Sequence, residues 1–300
     1  MNITISGKAE PFDRLFSELR PKLHRYCARM TGSVIDGEDV LQEALAKAVE
    51  ALPDAGPIAN PEGWLFRIAH NTALDFLRRR AREKTFSDED PDMIVDPANP
   101  AIDREAAAAG LRIFMRLAVA QRSSVIMMDV LGYSLRQIST ILDISIPAIK
   151  AALHRGRGRL REFADEPEDR PSPVLSAAER SLLDAYIDRF NAHDFDAVRD
   201  MLADEVRLEL VAKIRLNGRK EVSTYFHNYS TRQDWRFIPG FVERRPAILV
   251  RDRDDPAAPP SYFILLAWQA GRLQAIRDFR HARYAADGAE MSAFQEPPRE

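Results

Sequence analysis

Two acidic, proline-bearing stretches decide how this chain can fold. The first, Thr85 to Asp103, sets Asp88, Glu89, Asp90, Asp92 and Asp96 among Pro91, Pro97 and Pro100. The second, Ala164 to Pro173, sets Asp165, Glu166, Glu168 and Asp169 among Pro167, Pro171 and Pro173. Neither holds enough apolar surface to offset the entropy of ordering it, so both read as linkers. The 300 residues are thereby cut into folded segments at 8–84, 105–164 and 175–287, with linkers at 85–104 and 165–174.

The first two segments read as helical throughout. Phe12, Leu15, Phe16, Leu19 and Leu23 recur at spacings of three and four, as do Val40, Leu41, Ala44, Leu45 and Val49 within Asp36–Leu52. Pro53 to Pro61 breaks the pattern, and a third helix is predicted over Glu62–Glu83. The middle segment is expected to hold one helix around Leu111–Met128, then a helix-turn-helix. Ser134 with Gln137 is a capping box, and Leu135, Ile138, Ile141 and Leu142 form the apolar face that follows. Asp143 and Ile144 make the turn, Ser145 caps the next helix, and Pro147 falls in its first turn, where a missing N–H costs little.

Charge is segregated along the chain. The net value of −3 hides two basic clusters, Arg78–Arg80 with Arg82 and Lys84, and Lys150, Arg155, Arg157, Arg159 and Arg161. For binding nucleic acid, where the positive charge sits matters more than its sum. The single cysteine, Cys27, rules out a disulfide within the chain and fits a reducing compartment. Neither a signal-peptide pattern nor an apolar run of about 18 residues occurs, so a cytoplasmic protein away from membranes is expected.

In the third helix Leu65, Ile68, Ala69, Thr72 and Phe76 are expected to pack inward. Arg67, Asn71, Asp75 and Arg78 return to one azimuth on another side. Such a face can hold phosphates and bond to bases, or can be an ordinary solvated face with a basic end suited to the helix dipole. The last helix of the middle segment is expected to expose Ala148, Lys150, Ala151, Ala152 and His154. It reads as a DNA-recognition helix or as half of a structural hairpin, and its arginines favour DNA.

Three blocks then carry a resemblance: GEDVLQEALAKAV at Gly37–Val49, NPEGWLFRIAHNTALDFLRRR at Asn60–Arg80, and DVLGYSLRQISTILDISIPAIKAALHRGRGRLRE at Asp129–Glu162. In order and spacing they resemble the extracytoplasmic-function sigma factors of the sigma-70 family, over roughly the first 165 residues. The resemblance implies a non-enzymatic subunit, without cofactor or metal, that binds core RNA polymerase and promoter DNA. Asp39, Gln42 and Glu43 fall where the family grips the polymerase. Asn71, Asp75, Arg78 and Arg79 fall at the helix that engages the minus-ten element, where Trp64 could stack on a base or be buried. Ala148, Lys150, His154, Arg155 and Arg157 fall at the helix that reads the minus-thirty-five element. Ala148, Ala152 and Ile146-Pro147 depart from the family pattern, which implies reading through phosphates more than bases. The acidic linker resembles the family's connector through the polymerase channel.

The last segment has a different texture. A helix through Leu182, Leu183, Tyr186, Ile187 and Phe190, a short one at Ala197–Leu202 and a strand through Val206, Leu208 and Leu210 are expected first. After the Asn217-Gly218 turn come a helix at Lys220–Tyr229 and strands at Trp235–Glu243, Ala247–Arg251, Tyr262–Trp268 and Arg272–Arg280. Helices followed by an antiparallel sheet make an α+β body. With AHDFDAVRDMLADEV and NGRKEV it resembles a SnoaL-like domain of the nuclear-transport-factor-2-like superfamily, a cone with a pocket. That resemblance implies control of the first two segments by intramolecular docking, and leaves room for a small ligand that the sequence does not identify. His193, Asp194, His227, Asp278 and His281 are the candidate polar groups, and Tyr225, Tyr229 and Trp235 either line a pocket or fill the core.

Overall fold

A computed structural model describes residues 9–85, 110–164, 175–230, 234–255 and 257–294. Apart from Thr85, both expected linkers lie outside the described residues. The chain divides into two compact units, residues 1–168 and 169–300.

The first unit is all helical. Helices α1 (Ala9–Thr31), α2 (Val34–Ala51) and α3 (Pro61–Thr85) form its first half. Ser33 caps α2 by accepting the Asp36 N–H at 3.1 Å. Gly37 lets α1 and α2 touch backbone to backbone, since a Cβ there would lie 2.5 Å from Ala28 Cα. Leu65, Ala69 and Thr72 of α3 are buried, and Ile68 and Phe76 pack against the same core, as their spacing predicts.

The expected helix at Leu111–Met128 is instead broken in two. Helix α4 spans Leu111–Met115 and α5 spans Val119–Val125, which runs into a π-helical turn at Ile126–Val130. Neither glycine nor proline marks the break. It is held from a distance by Arg122, whose guanidinium donates to the carbonyls of Met115 and Leu117 at 3.1 and 3.0 Å. Helix α6 (Leu135–Leu142) opens with the Ser134–Gln137 capping box and ends at Asp143 with φ +57°. Helix α7 (Ile146–Ala164) is capped by Ser145, whose Oγ accepts the Ala148 N–H at 3.4 Å. Gly156 sits tightly on α5, where an added Cβ would meet Val125 Cγ2 at 2.9 Å. Phe114, Val125, Ile138, Ile149 and Leu160 share one core with Leu23, Tyr26 and Phe66.

The second unit packs helices α8 (Ala177–Asn191), α9 (Phe195–Asp200) and α10 (Arg219–Ser230) with a seven-stranded sheet. Its strands are β1 (Leu202–Leu210), β2 (Ile214–Asn217), β3 (Trp235–Val242), β4 (Arg245–Asp252), β5 (Tyr262–Gln269), β6 (Arg272–Asp278) and β7 (Met291–Ala293), in the order β2-β1-β6-β5-β4-β3-β7. The expected antiparallel sheet is in fact mixed, because β1 pairs parallel with β6. The short helix ends at Asp200, and β1 begins at Leu202 rather than Val206. A register shift between Leu202 and Arg207 breaks the alternation that would have announced the strand's start. β2, β7 and the 3-10 turn at Arg283–Gly288 were not foreseen, being short or weakly patterned.

Candidate nucleic-acid interface

The polar side of α3 is laid out as its spacing requires. Arg67, Asn71, Arg78 and Arg79 are exposed and Asp75 is half-buried. Asp75 accepts from Arg78 at 2.7 Å and lies 3.8 Å from the Lys47 ammonium of α2. Arg79 reaches across to Glu43 at 2.9 Å, and Arg80 to Asp36 at 2.9 Å. Glu43 also pairs with Lys47 at 2.8 Å, and the hydrogen bond from Arg79 does most to hold its carboxyl below the usual range. Asp39 is exposed and Gln42 half-buried, with its amide 3.4 Å from Glu38. Of these three residues of α2, Glu43 shares an ion-pair network with Lys47, Arg79 and, through Lys47, Asp75 and Arg78. Trp64 is half-buried against the core.

On α7, Ala148, Lys150, His154 and Arg155 are exposed together. Arg157, two turns beyond Lys150 and on nearly the same azimuth, is already engaged: its guanidinium grips the buried Asp129 carboxylate, with Nε 2.9 Å from Oδ2 and Nη2 on Oδ1. Ala152, expected to be exposed, is buried at 3%. It stands one turn from Ile149 and Gly156, on the stripe facing α5, so the departure from the family at this position lies in the core and not on the reading surface.

The two halves of the first unit are joined by a seam. Arg122 of α5 donates to Met30 O of α1 at 2.7 Å, and burial lowers its guanidinium to about 10, still cationic at neutral pH. Tyr133 packs edge-on to Phe66 at 5.3 Å and donates to Glu62. Glu62 also accepts from Lys22 at 2.7 Å, whose ammonium lies 4.1 Å from the Tyr133 ring centre. Arg67, on the polar side of α3, donates to the Thr140 carbonyl of α6. The sequence carried no sign of these contacts, because they join positions up to 92 residues apart.

In the second unit the five candidate polar residues make no hydrogen bond to one another. Asp194 caps α9 through the Ala197 N–H at 3.1 Å. His227 and His281 are exposed. Asp278 is fully buried, where its Oδ2 accepts the hydroxyls of Tyr225 and Tyr229, each at 2.8 Å, and its Oδ1 accepts the Arg280 N–H at 2.8 Å. Desolvation raises its pKa against the pull of those bonds. Tyr225, Tyr229 and Trp235 are all buried in the aromatic core, and Trp235 also borders a cavity next to His193.

Comparison with known proteins gives two family matches, both in the first unit. Residues 15–83 match the model of sigma-70 region 2, and residues 111–160 that of sigma-70 region 4. The chain is 29% identical to the extracytoplasmic-function RNA polymerase sigma factor SigG of Mycobacterium tuberculosis, over 91% of this chain and 80% of the relative. It is 32% identical to SigM of the same organism, over 52% of this chain and 78% of the relative. A putative polyketide cyclase from Sinorhizobium meliloti aligns in structure with a TM-score of 0.28 at 15% identity, covering 34% of this chain and 99% of that one.

Proposed function

This chain belongs to the extracytoplasmic-function sigma factors of the sigma-70 family, and on that footing we propose how its surfaces divide the work of an alternative sigma factor, which binds core RNA polymerase and directs promoter recognition. Asp39, Gln42 and Glu43 of α2 dock on the polymerase. Asn71, Asp75, Arg78 and Arg79 of α3 hold the opened strand at the minus-ten element. Ala148, Lys150, His154 and Arg155 of α7 meet the minus-thirty-five element, while Arg157 supports that helix through Asp129. The observation that carries this reading is the joint exposure of the α3 face and of Lys150, His154 and Arg155 behind a capped helix-turn-helix. The setting is the bacterial cytoplasm, and the role is binding without catalysis.

Geometry adds a requirement. Elements centred near minus ten and minus thirty-five are about 25 base pairs apart, or roughly 85 Å at the rise of B-DNA. Helices α3 and α7 both contact α6, which places their axes within about 20 Å of each other at ordinary helix-packing distances. The seam at Arg122 and Tyr133 therefore opens before one molecule holds both elements. Polymerase supplies the differential affinity that opening needs.

The second unit regulates this equilibrium. Residues 165–174 tether it at an effective concentration near millimolar, at which weak docking alters which state dominates. Reconstitution with bacterial core polymerase tests both levels. Promoter-dependent RNA from the full chain is expected, and a chain that never associates with core refutes the assignment. Removing residues 165–300 is expected to change the yield, and identical transcription from both forms refutes regulation.

A further inference from the structure

A cavity of about 340 Å³ opens in the second unit, lined by Asn191 at the end of α8, His193 just after it, Trp235 and Arg236 at the start of β3, and Arg253 after β4. Its volume is in the range of small-molecule sites. Two of its walls are fixed. Asn191 spends its amide on the backbone of Phe237, donating to the carbonyl at 2.9 Å and accepting from the N–H at 3.0 Å. His193 is held at φ +60°, an uncommon conformation for a residue with a Cβ. Its ring lies 5.3 Å from the Trp235 ring, inclined at 37°.

The remaining polar groups take no partner from the described residues. Trp235 is 7% exposed, and its indole N–H is buried with no hydrogen-bond partner among the described residues. Arg236 and Arg253 are exposed and make no ion pair or side-chain hydrogen bond there. Of the acids nearby in sequence, Asp252 Oδ1 accepts the Asp254 N–H at 2.9 Å and Asp255 Oδ1 the Ala258 N–H at 3.2 Å. An indole N–H and two guanidinium groups are donors only.

We infer that this cavity is a binding site for a small organic carboxylate, its oxygens taken by the Arg236 and Arg253 guanidinium groups and its apolar body laid along the Trp235 and His193 rings. A planar fork of donors suits a carboxylate or a phosphate, and the flanking Trp235 and His193 rings favour a carboxylate that carries an apolar body. The site goes beyond promoter binding and does not rest on it, since it is defined wholly within the second unit.

The test uses the full chain, uniformly labelled with nitrogen-15, and follows its indole N–H signals. Trp235→Phe assigns the signal, and Trp64→Phe with Trp268→Phe assigns it by elimination if that variant does not fold. Titration with 2-naphthoate is expected to shift the Trp235 signal saturably, with Kd below about 1 mM. Neutral 2-naphthamide and inorganic phosphate are expected to bind at least about 10-fold more weakly, as is 2-naphthoate to the doubly substituted R236A/R253A chain, whose changes are at exposed positions. Absence of a saturable shift overturns the site. Equal binding of the amide, of phosphate, or by the double variant overturns the carboxylate assignment. Because the signal is read on the protein and not as RNA, failure here leaves the sigma-factor reading standing, and failure of transcription leaves this site standing.

Discussion

The two units keep their polar chemistry in opposite places. In the first, the charged side chains of α2, α3 and α7 for which we propose a binding role lie at the surface, and its seam is held by the buried Arg122. In the second, the outside is ordinary, and the concentrated chemistry is internal: a carboxylate with two tyrosine hydroxyls on it, and an indole N–H with no acceptor. A protein that must lie along a charged polymer needs display, whereas one that must enclose a small molecule needs an interior. The difference teaches that one chain can carry both logics when a tether keeps their cores separate.

Asp278→Ala should break this contrast most severely. It strands two buried tyrosine hydroxyls and removes a network built on a buried carboxylate, for a loss of about 4 kcal/mol. Urea unfolding should show the second unit's transition shifted and the first unit's unmoved; a shift of both would merge what is here held apart. Next comes Arg122→Met, which leaves the carbonyls of Met30, Met115 and Leu117 without their donor. About 3 kcal/mol of first-unit stability should go, visible as faster hydrogen exchange in α1 and α5. Unchanged exchange would mean that the seam is held by apolar packing alone.

A pH experiment sharpens the comparison from the first unit's side. Burial lowers His70 from 6.5 to about 4, and its Nδ1 is hydrogen-bonded to the Tyr26 hydroxyl at 2.7 Å. The folded state therefore keeps the ring neutral, and as pH falls below 6.5 the unfolded state takes the proton first. Stability present above that pH is lost down to about 4, by roughly 2 kcal/mol at pH 5. His70→Gln should lose that much less between pH 7 and 5 in urea midpoints, with His24, also lowered by burial, supplying what acid sensitivity is left. Equal losses in both proteins would place the proton elsewhere. The smallest effect is expected at the surface. Lys150→Ala should leave stability alone and flatten the salt dependence of promoter binding by about one unit of logarithmic slope. A loss confined to single base changes would instead make Lys150 a base reader.

What could be read in advance follows the same contrast. The α3 face and the capping box at Ser134 depend on neighbours three and four residues apart, so the pattern of the chain displays them. Ala152 was misjudged by a rotation of about one residue on α7, because an alanine fits either face. Arg157 lies in a basic run and nothing local distinguishes it from its neighbours; only the fold brings it to Asp129, 28 residues away. Tyr225 and Asp278 are separated by 53 residues and meet through the parallel pairing of β1 with β6 and the packing of α10, which no local pattern records.

The bridge from Arg79 to Glu43 has one more implication. Glu43 spends one oxygen on Lys47 and the other on Arg79. On the roles proposed above for Glu43 and Arg79, an incoming cation of the transcription machinery that takes that second oxygen releases a positive side chain toward the strand being melted. The converse is equally true: a phosphate that draws Arg79 away bares the acid for its protein partner. Exposed pairs are worth under about 1 kcal/mol, so this reciprocity is a few-fold bias and not a switch. It favours the two encounters happening together over either happening alone.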